Sequence, residues 1–189
     1  MLNNQIIEDA IQVLKNGGVI LYPTDTIWGI GCDATNTKAI EKIYRIKKRK
    51  ENKPLIILVH DTEKIKEYIH EFPEIARDII NKATQPTTVI YDKPINLSET
   101  LITNNSIGIR VIKNSNLNTL LKKFNKAITS TSANISNVQN PTSFSEIDSY
   151  IKNNVDYIVP ENFMKNNNQN KSSRIIKIIN NSQIKIIRK

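Results

Sequence analysis

Apolar residues along this chain change their period repeatedly, and that alternation restricts the fold more than any other feature of the sequence. Ile6, Ile7, Ala10, Ile11, Val13 and Leu14 recur at the spacing of one helix face. Gly17-Gly18 follows directly and can close a helix in a left-handed turn. Val19-Ile20-Leu21-Tyr22 is then a short β-prone run stopped by Pro23. The turn-rich stretch from Thr24 to Gly31 is expected to be a loop at that strand's C-terminal end. Ala39, Ile40, Ile43, Tyr44 and Ile46 mark a second helix, with Thr37 as its expected cap. Pro54 precedes a strand over residues 55–59, and helical patterns cover residues 63–70 and 73–82. Further strands are expected over residues 87–91, 107–112 and 127–131, with a helix over 117–124. Residues 162–171 are polar and asparagine-rich, as expected of a mobile connection, and two final strands, 175–179 and 184–187, form a hairpin about Asn180-Asn181-Ser182. Helices and strands interleaved in this way predict an α/β fold, a mixed sheet with helices packed on it, in a single domain over residues 1–189.

Composition narrows the function classes. No segment reads as a signal peptide, and no apolar run approaches the ~20 residues of a membrane helix, so a soluble, cytoplasmic protein is expected. Cys32 is the only cysteine, which excludes an internal disulfide and any zinc site built on a cysteine cluster. His60 and His70 have no partners at metal-ligand spacing. The net charge of +9 invites a nucleic-acid reading. Lysine, asparagine and isoleucine are abundant throughout, however, and share A/T-rich codons, so only local clustering of charge is informative.

One such cluster is Lys47-Lys48-Arg49-Lys50, flanked by Arg45 and Lys53, at the end of the second helix. Lysine supplies a compact charge and arginine a bidentate fork, a combination suited to polyphosphate. The helix dipole also favours cations there, so the cluster alone leaves a structural role open. Tyr22-Pro23-Thr24-Asp25-Thr26 is either an ordinary turn or a hydroxyl-lined loop at a sheet edge, where α/β proteins commonly bind ligands. Trp28 suits either core or pocket wall. Thr131-Ser132-Ala133-Asn134 follows an apolar strand and offers short donors for phosphate or ribose oxygens, or a helix cap. No Walker loop, Rossmann fingerprint or G-x-S-x-G elbow is present.

In combination these segments are more specific. Y-P-T-D-T-I-W-G-I-G-C-D-A, K-K-R followed by N-K-P-L, S-I-G-I-R and T-S-A-N-I-S occur in that order, and the chain from about Gly17 to Arg188 resembles the YrdC-type L-threonylcarbamoyladenylate synthases. The resemblance implies a YrdC-like open, twisted mixed sheet with flanking helices and a concave basic cleft. It also implies formation of threonylcarbamoyl-AMP and pyrophosphate from L-threonine, bicarbonate and ATP, with Mg²⁺ arriving on the nucleotide. Partner proteins would then pass the threonylcarbamoyl group to tRNA, giving threonylcarbamoyladenosine, and tRNA or double-stranded RNA could contact the protein directly. The motif match assigns Lys47 and Arg49 to catalysis. Arg49, Lys53, Ser106, Ser132, Asn134, Asn140 and Arg188 would contact ATP, and Thr26, Arg110 and Ser173 would contact threonine. No metal-ligand set of the protein's own is implied. Lys48 and Lys50 read as surface charge; Lys50 and Asn137 stand where the family often has proline and glycine. The alternative is a non-catalytic module of the same fold that binds structured RNA, which explains the charge but not the hydroxyl set.

Overall fold

A computed structural model describes residues 2–49, 54–113, 115–164, 171–179 and 183–189. Helix α1 (Leu2–Lys15) buries Ile6, Ile7, Ala10, Ile11 and Leu14, the face its periodicity marks. It ends as Gly17, at φ +76°, turns left-handed and the Gly18 N–H reaches back to Val13 O at 2.9 Å. The chain then enters β1 (Ile20–Tyr22).

The stretch expected as a loop after β1 is a loop only in its first half. Gly29–Gly31 is a strand, β2, paired antiparallel with β1. Two glycines around one isoleucine read as turn signals, yet they serve a close approach of backbones: a Cβ on Gly31 would lie 2.1 Å from Thr129 O. Helix α2 (Thr37–Ile46) is capped by Asn36, whose Oδ1 accepts the Ala39 N–H at 3.1 Å, and not by Thr37. The Thr37 hydroxyl instead lies 2.9 Å from the Ser98 hydroxyl.

Strand β3 (Ile56–Val59) follows. The helical pattern at 63–70 yields only a short 3₁₀ turn, Glu63–Glu67, before α3 (Glu74–Lys82). Strands β4 (Thr87–Asp92) and β5 (Ser106–Val111), helix α4 (Asn116–Phe124) and strand β6 (Ile128–Ser132) lie where expected. A short helix α5 (Ser149–Asn154) and a two-residue strand β7 (Tyr157–Ile158) were not foreseen. Strands β8 (Arg174–Ile179) and β9 (Gln183–Arg188) form the expected antiparallel pair. The tip expected at residues 180–182, and residues 165–170 of the expected connection, lie outside the described residues.

Among the described residues nine strands join one open sheet in the order β7-β1-β2-β6-β3-β5-β4-β8-β9, with parallel and antiparallel pairs mixed as predicted. Successive strand residues point to opposite faces, so Ile57 and Leu58 enter different cores. One core gathers α1 and α4 over Ile20, Leu58 and Ile128. The other gathers α2 and α3 over Leu21, Ile30, Ile57 and Ile109. Burying each large aliphatic side chain contributes about 1.5–3 kcal/mol, and covering both faces anchors the central strands. The outermost strand, β9, is exposed on every residue and carries Ile184, Ile186 and Ile187. Among the described residues no helix is long and apolar enough to cross a membrane.

Candidate active site

Strand β6 carries the site because it is paired on both sides. Ser132 lies opposite Gly29 of β2, and Ser130 lies opposite Ile56 of β3. A cavity of about 60 Å³ opens beside Gly29 of β2, Ile56 of β3 and Ser130 to Ser132 of β6. Thr26, Arg110, Ser132 and Ser173, four of the residues selected from the sequence, line it together. Thr24, Ser130 and the buried Trp28, which packs 5.1 Å from Phe144, line it as well. Ser130 was overlooked, although the two-residue period of a strand sets it on the same face as Ser132.

Arg110 lies on β5 between the core residue Ile109 and Val111 and is 3% exposed. Its Nη1 donates to Thr26 Oγ1 at 3.1 Å, and its Nη2 lies 3.3 Å from Asp25 Oδ1. The loop that presents Thr26 is pre-arranged. The Thr24 hydroxyl donates to Ile27 O at 2.7 Å and accepts the Thr26 N–H at 3.0 Å. Ser173, buried at the start of β8, shares a 2.8 Å hydrogen bond with Thr88. Arg188 joins from β9 by donating Nε and Nη2 to Ser173 O at 2.9 and 2.7 Å. Burial, and then the charge of Arg110, weaken the hold of Arg188 on its proton.

Lys47 explains how the two motifs meet. As the C-cap of α2 it sends its side chain inward, 1% exposed, where Nζ donates to Ser132 O and, at 2.6 Å, to Asn134 O. In return Lys47 O accepts the Ser136 N–H at 2.9 Å. The ammonium of Lys47, expected to serve in catalysis, is taken up by the main-chain oxygens of Ser132 and Asn134 and works as a strut between the K-x-R and S-x-N segments. Burial, followed by the Arg49 charge, pulls this ammonium down to about 7, against the carbonyl oxygens that favour its charged form. Asn134 Oδ1 accepts the Ser132 hydroxyl at 2.5 Å, so both short side chains of S-x-N are oriented. Arg49 lies two residues beyond the strut and donates Nη2 to Pro54 O at 3.0 Å; burial lowers its proton affinity.

Other expected residues are placed apart from this cavity. The Ser106 hydroxyl donates to Thr103 O at 2.8 Å, four residues along β5 from Arg110. Asn140 is exposed on the surface, and Lys48 points outward, its Nζ 5.2 Å from the Tyr150 ring. Lys53 and Lys50 lie outside the described residues. Cys32 is buried with its thiol pushed up to about 12, which leaves it protonated and unsuited as a nucleophile. Among the described residues no cluster of three or more histidine, cysteine, aspartate or glutamate side chains is placed to hold a metal ion.

A site that combines a buried guanidinium with a ring of small hydroxyls can grip a carboxylate and orient phosphoryl oxygens without a covalent intermediate. The family model for the Sua5, YciO and YrdC proteins, described as "Telomere recombination", matches residues 12–189. A Methanocaldococcus jannaschii protein is 35% identical over 191 residues, 98% of this chain and 88% of its own length. The threonylcarbamoyl-AMP synthase of Aliivibrio fischeri is 32% identical over 150 residues, 77% of this chain and 80% of its own. P. abyssi Sua5 complexed with L-threonine has the same fold, with a TM-score of 0.82 at 22% identity over 91% of this chain. The present chain spans about half, 50%, of that Sua5.

Proposed function

The chain belongs to the Sua5/YciO/YrdC family, and from that membership we propose that it is a threonylcarbamoyl-AMP synthase, a nucleotidyltransferase acting on L-threonine, bicarbonate and ATP. The observation that carries the reading is the convergence of Arg110, Thr26 and Ser173 with Ser132 on one cavity. The first three suit an amino-acid carboxylate, which a guanidinium fork recognises. The oriented Ser132 and Asn134, and Arg49 two residues beyond the Lys47 that holds them, suit a nucleotide.

The threonine amine attacks the carbon of bicarbonate and water leaves, giving a carbamate; a carbamate oxygen then attacks the α-phosphorus of ATP, and pyrophosphate leaves. Holding the two reactants in line supplies most of what catalysis needs. Arg49 neutralises charge that builds on the phosphoryl oxygens, Ser132 and Asn134 orient them, and Arg110 fixes the amino acid. Lys47 contributes by holding Ser132 and Asn134 in place. Mg²⁺ enters with the triphosphate as part of the substrate. Partner proteins consume the product in tRNA threonylcarbamoyladenosine formation.

Pyrophosphate release measured with and without each substrate tests this. Release should require both threonine and bicarbonate and should fall about 10²-fold in Arg49→Ala. Release that persists without threonine would exclude the reading.

A further inference from the structure

Burying Arg110 creates a charge that the hydroxyls around it do not balance. It is 3% exposed, and its charge is, after burial, the second cause that loosens the proton of Arg188. Among the described residues, Asp25 is the one acidic side chain that lines either the site cavity or the neighbouring cavity of about 200 Å³. Asp25 Oδ1 lies 3.3 Å from Arg110 Nη2 and is shielded from solvent, but no donor is well aligned on it. The Asp25 side chain as a whole stays 27% exposed. One oxygen of the carboxylate is therefore turned to the arginine, while the group keeps open surface toward the larger cavity that it lines.

A zwitterionic amino acid brings two charges to such a place. If its carboxylate lies on Arg110, its ammonium sits on the adjacent carbon and needs an acceptor of its own, because a desolvated cation without one is costly. The nearby hydroxyls are poor candidates. Thr24 and Thr26 share a 2.8 Å hydrogen bond, and Ser173 is bonded to Thr88. Asp25 is anionic, adjoins Thr26 in the chain and touches the same guanidinium.

We infer that Asp25 accepts the substrate's α-ammonium group and so selects an α-amino acid over the matching hydroxy acid. The inference rests on the synthase reading and sharpens it: Arg110 takes one end of the zwitterion, and the residue preceding Thr26 takes the other. Before substrate arrives, the same carboxylate serves as counter-charge to the buried arginine.

NMR titration of the full chain with L-threonine and with (R)-3-hydroxybutanoate, the same skeleton without nitrogen, tests this. The amide spectrum reports the fold of each variant in the same experiment. Asp25→Asn should weaken L-threonine about tenfold or more and change (R)-3-hydroxybutanoate by less than about twofold. Asp25→Glu, which keeps an anionic acceptor, should regain part of the preference for threonine, and it carries the same comparison if the asparagine variant does not fold. Equal weakening of both ligands would reduce Asp25 to a support for Arg110 and overturn the inference. Tightening of both would make Asp25 a placeholder displaced by substrate, and would also overturn it. Threonine binding unchanged in Asp25→Asn overturns the inference alone, whereas a wild type that binds no threonine overturns the synthase reading with it.

Discussion

Lys47 has its ammonium held by two main-chain oxygens, which ties the end of α2 to the end of β6 and the segment after it. Replacing it with methionine keeps the buried stem but releases Ser132 and Asn134, so kcat should fall about 10²-fold while the KM for threonine, set at Arg110, changes little. Steady-state kinetics separates the two constants. The same residue couples stability to pH. Folded Lys47 gives up its proton near 7, against an ordinary value of 10.5, so within that window the unfolded chain binds the extra proton. Stability should therefore rise as pH rises from about 7 to 10.5, and Lys47→Met should flatten that slope in urea titrations. Much of the site was legible at this scale, since Thr26, Arg110, Ser132 and Ser173 do share a cavity. The partner of Lys47 was not, because it bonds to carbonyls and every residue has one. Asp25 was legible only as a turn residue, because its ion pair depends on how the loop returns toward β5.

Among the elements, the strand pair β2 and β6 bears the greatest demand, since it brings two backbones together with no side chain between them. Gly31→Ala would drive a Cβ into Thr129 O, which is backbone and cannot swing aside. A loss of about 3 kcal/mol or more is expected, measured as a lowered urea midpoint, along with loss of threonine binding as Ser132 shifts with β6. This strand escaped sequence reading because glycine signals turns and tight strand contacts alike. Helices α1, α2 and α4 were legible because each repeats its apolar face over two turns or more. The 3₁₀ turn at Glu63–Glu67 was misjudged because five residues do not separate a period of 3.0 from one of 3.6. Strand β7 is two residues long and exists by pairing with β1, a non-local cause that leaves no periodic trace.

For the whole molecule, the interleaving of helices and strands was enough to foresee a mixed sheet with helices packed on it, but not the order of its strands. That order depends on which distant segments pair, and β6 lies between β2 and β3 although 97 residues separate Cys32 from Thr129, which are bonded beside that junction. The molecule's behaviour in concentrated solution follows from where the sheet stops. Strand β9 offers a rim of unshared backbone groups flanked by Ile184, Ile186 and Ile187, with Lys185 and Arg188 interspersed. These cations keep like rims apart only while their fields reach across the gap. That reach shrinks from about 8 Å at physiological salt to about 3 Å at 1 M. Light scattering from a concentrated sample should accordingly climb with added sodium chloride, and Ile186→Lys should suppress the climb. Salt, which commonly calms a highly charged protein, would here act as the precipitant, one rim adhering to the next.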